Sequence, residues 1–166
     1  MNSQNLLDGE REAPFSHLIQ ATLPIIFLII WILDTWIFLI SVWLNSFVPL
    51  IIRIGLFAIV LTLAFILIYL SHKTLFDKNR PSNELITNGI LKYVRNPLYL
   101  GVLLIYLAFI FLSISLISII LFIIIFVIYN RMVNFEEKML EEMFSDEYMD
   151  YKNRVSKWIP NPFRNK

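Results

Sequence analysis

Leu98–Tyr129 reads LYLGVLLIYLAFIFLSISLISIILFIIIFVIY, 32 residues without a charge. As one helix it would measure about 48 Å, against a bilayer hydrocarbon core of about 30 Å, so a single crossing fits poorly. Ser113, Ser115 and Ser118 interrupt its middle, where hydroxyls can satisfy backbone groups freed by a tight turn. The segment is therefore expected to fold back on itself as a helical hairpin spanning 98–129. Each arm is somewhat short, so local thinning or burial against other helices is expected.

Working outward, 18–44 and 49–70 are also nearly all apolar and long enough to cross a membrane. Asn45 and Ser46 open the turn between them, and Pro49 suits a helix start. The expected architecture is an all-α polytopic membrane bundle of about four segments, forming a single domain over 1–166. Hydrophobic residues make up 58% of the chain and charged residues 16%, an apolar excess that needs lipid as its solvent. The acidic stretch before 18–44 lacks a basic n-region and a small-residue cleavage site, so that segment reads as a retained span.

The net charge of +1 conceals an asymmetry: of 14 Lys and Arg, only Arg11 and Arg53 lie outside 71–97 and 130–166. Basic residues collect in cytoplasmic loops, which places the 71–97 loop, the 130–166 segment and both termini in the cytoplasm. A bacterial or archaeal cytoplasmic membrane is the expected location. Interspersed Asp and Glu argue against a nucleic-acid surface. Within the loop, turns are expected at Pro81–Asn83 and Asn88–Gly89. Beyond Arg131, Met139, Leu140, Met143 and Phe144 recur at helical spacing between carboxylates, predicting an amphipathic helix on the cytoplasmic face. Tyr148, Tyr151, Trp158 and Phe163, mixed with Lys152, Arg154 and Lys157, suit the headgroup layer.

Two stretches carry chemistry. In Gly89–Gly101, Asn96 can cap a helix whose first residue is Pro97, presenting a positive dipole end to a carboxylate or phosphate. Gly101 allows another backbone or a ligand to approach closely, while Tyr93 and Tyr99 supply aromatic faces. In Glu136–Pro160, Glu136 precedes Leu140 by four and Met143 by seven, which puts it on their inward face. Glu137 and Glu141 are expected on a more solvated flank.

Together these stretches resemble the superfamily of isoprenylcysteine carboxyl methyltransferases and phosphatidylethanolamine N-methyltransferases, over roughly Gly89 to Pro160. That family has an Arg-His-Pro-x-Tyr-x-Gly motif, an apolar hairpin, then Glu-Glu-x-x-Leu-x-x-x-Phe-Gly-x-Glu-Tyr-x-x-Tyr. The chain matches at Arg95, Pro97, Tyr99, Gly101, Glu136, Glu137, Leu140, Phe144, Glu147, Tyr148 and Tyr151, but has Asn96 for His and Ser145 for Gly. The resemblance implies S-adenosylmethionine as cofactor, held by Tyr93, Asn96, Pro97, Tyr99, Gly101, Glu136 and Glu137. It also implies methyl transfer to a lipid or lipophilic acceptor, a carboxylate or an amine, with Arg95, Glu136 and Glu137 as catalytic residues. Asn keeps a hydrogen-bonding side chain but does not titrate near neutral pH. Competing classes are a non-catalytic membrane binding protein of the same fold and a related membrane reductase.

Asp34 and Arg53 are ionisable residues inside the first two spans, where charge is costly and tends to mark function or internal pairing. Two roles are open for Asp34: pairing with Arg53, or facing the active-site cavity. Arg53 lies close enough to its helix start to snorkel. His17 and His72 have no metal-ligand spacing, and the lack of cysteine excludes disulfides and thiolate chemistry.

Overall fold

The computed structural model describes residues 16–76 and 84–160. The expected turn at Pro81–Asn83 and the interfacial Phe163 lie outside them. The described residues form four α-helices: α1 (Ser16–Ile32), α2 (Leu50–Leu75), α3 (Pro97–Ser113) and α4 (Leu116–Arg154). Among the described residues, three apolar helical stretches are long enough to cross a membrane, and α3 is a shorter apolar helix. This is the polytopic helical membrane bundle expected from composition.

Lipid-facing positions stay apolar: Ile51 is 75% exposed and Ile59 60%. Phe27 and Trp31 of α1, Leu103, Tyr106 and Ile110 of α3, and Ile125, Tyr129 and Met132 of α4 form the buried centre. Gly101 explains how α2 and α3 pack so closely. A Cβ there would meet Ile68 Cγ1 at 2.7 Å and the Ala64 carbonyl oxygen at 3.1 Å. The close approach is thus made by a neighbouring helix.

The hairpin turns at Ile114, whose φ of 42° is left-handed, and Ser115 accepts the Ser118 N–H at 3.0 Å. The serine-rich centre therefore satisfies the first turn of α4, with help from the first span. Instead of running helically to residue 44, α1 widens into a π-helical segment, Leu33–Phe38, and the chain then folds back. The Ser41 carbonyl accepts from Leu116 N at 3.3 Å and Ser41 Oγ from Ile117 N at 3.1 Å. These partners satisfy first-turn N–H groups of α4 that have no intrahelical acceptor.

Asp34 sits in this cluster, and neither role left open for it is the one found. Its carboxyl accepts from Ser41 N at 3.0 Å, and from the Ser41 and Ser115 hydroxyls at 2.5 Å each. Arg53 donates instead to the Leu112 carbonyl at 3.0 Å. Both contacts gather at the C-terminal end of α3, about 25 Å along a 17-residue helix from its start. Asp34 thus fastens the hairpin turn.

The amphipathic segment beyond Arg131 is continuous with the second hairpin arm, as α4 runs to Arg154 with a kink at Ser145. Ser145 has φ 44° and ψ −117°, a conformation favourable to glycine and strained for L-residues. That is the position where the resembling family has Gly. After the kink, Tyr148, Tyr151 and Val155 form a second small core with Leu85, Leu140 and Phe144.

Candidate functional site

The hairpin brings the two motif stretches together at the start of α3. A 3-10 turn, Gly89–Lys92, leads into it, and Gly89 has the left-handed φ of 59° that the expected Asn88–Gly89 turn requires. A Cβ on Gly89 would also meet Thr74 Oγ1 at 2.6 Å. The Tyr151 hydroxyl donates to the Leu91 carbonyl at 2.8 Å, tying the end of α4 to this turn.

Arg95 is the hub. Its Nε donates to Glu137 Oε1 at 3.1 Å and Nη2 to Glu137 Oε2 at 3.3 Å, a fork-to-fork pair whose side chains are each 7% exposed. Nη1 reaches the carbonyls of Lys152 at 2.9 Å and Val155 at 3.3 Å. The Arg95 backbone N–H donates to the Ser156 carbonyl at 3.0 Å, and Val94 and Ser156 form an isolated parallel bridge. The segment Val155–Trp158 is thereby strapped across the start of α3. Trp158 Nε1 donates to Asn130 Oδ1 at 3.2 Å and Lys157 Nζ to Asn134 Oδ1 at 2.5 Å, fixing the strap to α4. Burial lowers the Lys157 pKa from its ordinary value; Glu137 opposes this, and Arg95 and Lys152 add to it.

Glu137 corrects the sequence reading. Expected on a solvated flank, it is buried at 5% exposure, while Glu136 is half-buried. The reason is the start of α3, whose Arg95 and Asn96 side chains bond to the Glu137 carboxylate. Asn96 occupies the cap position of α3, yet its side chain makes no capping bond and donates from Nδ2 to Glu137 Oε1 at 2.9 Å. The first-turn N–H groups of α3 are therefore left uncovered by that side chain.

The other expected residues are placed as follows. Pro97 is buried as the first residue of α3, Tyr93 is 55% exposed, and Gly101 faces α2. The Tyr99 hydroxyl donates to Glu136 Oε1 and accepts from Gln20 Nε2 of α1 at 3.3 Å. The Tyr99 ring lies 5.7 Å from that of Tyr129. One turn deeper, Pro24, Phe27 and Leu28 of α1 and Val102, Ile105 and Tyr106 of α3 line an apolar groove. Arg95, Asn96, Tyr99, Glu136 and Glu137 thus meet at one end of the bundle.

Sequence reasoning missed Gln20 and the carbonyls of Lys152, Val155 and Ser156. Gln20 had a signal, as an amide inside an apolar run; the carbonyls had none.

No curated relative matches the chain. The family described as phospholipid methyltransferase matches residues 48–147, 100 of 166 positions, a range that contains α2, α3 and the paired glutamates. With the expected membrane bundle and both motif stretches at one site, the chain belongs to the phospholipid methyltransferase family.

Proposed function

We propose that the chain transfers a methyl group from S-adenosylmethionine to a lipid acceptor at the cytoplasmic membrane face. The observation that carries this reading is the Tyr99–Glu136 contact beside the uncapped start of α3. This donor set suits an amino-acid zwitterion next to a sulfonium. A helix start offers N–H groups to a carboxylate, Glu136 offers an acceptor to an ammonium, and aromatic faces favour a cation. Bound there, S-adenosylmethionine supplies an electrophilic methyl group on a positively charged sulfur.

The roles then divide among the residues. Glu136, Tyr99 and the exposed Tyr93 face the ligands. Arg95, Asn96 and Glu137 spend their polar atoms on one another and on the strap, and so hold the start of α3 in place. Much of the catalysis comes from orientation of acceptor and methyl donor. An amine acceptor must also lose a proton, and Glu136 is the carboxylate best placed to take it. The apolar groove below Tyr99 supports a hydrocarbon-bearing acceptor, and the family description favours a phospholipid amine over a carboxylate.

The test incubates purified protein in nanodiscs with methyl-labelled S-adenosylmethionine and either phosphatidylethanolamine or a prenylated cysteine. Label in the phospholipid is the expected result. Label only in the prenylated cysteine would replace the amine with a carboxylate. Label in neither, together with absence of cofactor binding, would overturn the assignment.

A further inference from the structure

Asn96 spends its side chain unusually. At a helix cap, an Asn commonly accepts a backbone N–H from the first turn, but here the amide turns away and donates to a buried carboxylate at 2.9 Å. That carboxylate, Glu137, also receives both forks of Arg95, and the remaining reach of Arg95 is to the carbonyls of Lys152 and Val155. One chain of hydrogen bonds therefore runs from Asn96 through Glu137 and Arg95 to the strap.

We propose that Asn96 is a positioning residue whose amide pins Glu137, so that Arg95 clamps the Val155–Trp158 strap over the start of α3 in a manner insensitive to pH. An amide N–H₂ donates in one state at every physiological pH, whereas an imidazole changes both charge and donor count near neutrality. The titratable groups facing this cluster are Glu136, Glu141, Tyr148, Tyr151, Lys152 and Lys157, together with the permanently charged Arg95. The effect on catalysis rests on the proposed methyltransferase reading, because the helix start that the strap holds is the one proposed to receive the cofactor. The effect on the strap does not.

The experiment therefore reads the strap itself. Backbone hydrogen exchange, corrected for intrinsic rates, is followed at Arg95, whose N–H is held by the Ser156 carbonyl, in full-length protein in nanodiscs at pH 6 and pH 8. Wild-type protection should be equal at the two values. Asn96→Ala removes a hydrogen bond to a charged acceptor, worth about 1.5 kcal/mol or more, and should lower protection about tenfold at both. Asn96→His should restore protection at pH 6, where imidazolium donates to and pairs with Glu137, and lose part of it at pH 8. The same variant should show methyl transfer that, divided by the wild-type rate at the same pH, falls between pH 6 and pH 8. Unchanged protection in Asn96→Ala, or a pH response already present in wild-type protection, would overturn the proposal. Because exchange needs no turnover, an absence of methyl transfer would overturn the functional reading alone and leave the clasp decided.

Discussion

Replacing Arg95 by Met should severely destabilise the end of the bundle at which α3 starts, and the structure sets the size of the effect. The guanidinium makes two bonds to Glu137, one to the Lys152 carbonyl at the end of α4 and one to the Val155 carbonyl of the strap, and both charged side chains are 7% exposed. Removing the cation leaves a carboxylate in a buried position with one amide donor from Asn96. Breaking a buried pair in this way costs about 3–5 kcal/mol, whereas an exposed pair is worth about 0–1 kcal/mol. Against a total stability of about 5–15 kcal/mol, the loss should lower the melting temperature by roughly 10 °C in detergent or nanodiscs. Arg95→Lys keeps the charge but loses the fork and should fall between wild type and Arg95→Met. Pairing Arg95→Met with Glu137→Leu removes the orphaned carboxylate and should recover much of the loss, because an apolar replacement of a buried pair is often neutral. Thermal unfolding of the three variants, with membrane insertion checked by carbonate extraction, gives the answer. A single variant costing under about 1 kcal/mol, or a double variant no better than the single, would refute the view of this pair as a buried clasp.

Two further outcomes follow from strained or fastened positions. Ser145→Gly should stabilise the protein by about 0.5–1 kcal/mol in reversible unfolding, since relief of a φ of 44° outweighs the added chain entropy; a loss of stability would contradict the kink's geometry. Asp34→Asn should cost about 1–3 kcal/mol of stability, through its contacts with Ser41 and Ser115, while cofactor affinity stays within twofold of wild type; an affinity loss without destabilisation would place Asp34 in the active site after all.

The bundle was legible because its signals are local and strong. Uninterrupted apolar runs set the helices, and three serines near the centre of 98–129 marked where the hairpin turns, at Ile114 and Ser115. The motif residues were legible as a group because the hairpin returns Glu136 and Glu137 to Arg95. Their individual roles were not. Helical periodicity ranked Glu136 as inward and Glu137 as solvated, but Glu137 is buried because Arg95 and Asn96, 42 and 41 residues earlier in the chain, bond to it from the start of α3, a contact between distant segments that periodicity does not encode. Asp34 was ambiguous for a similar reason. Its partners, Ser41 and Ser115, are brought to it by a π-helical ending and a backward fold that no apolar run encodes. Ser145 carried information that only the backbone could release, as its departure from Gly becomes meaningful once φ is known to be positive.

The most direct test of the cofactor assignment is titration calorimetry of S-adenosylmethionine into nanodisc-embedded wild type and Glu136→Gln. Glu136 shares its carboxylate with Tyr99 beside the start of α3 and takes no part in the Arg95 fork, so its neutralisation should leave the fold intact. Loss of a charged partner for the cofactor ammonium is worth about 2 kcal/mol or more, which predicts saturable binding to wild type and at least about a thirtyfold weaker affinity in Glu136→Gln at an unchanged melting temperature. Equal affinity in the two proteins would contradict the placement of the cofactor at this carboxylate.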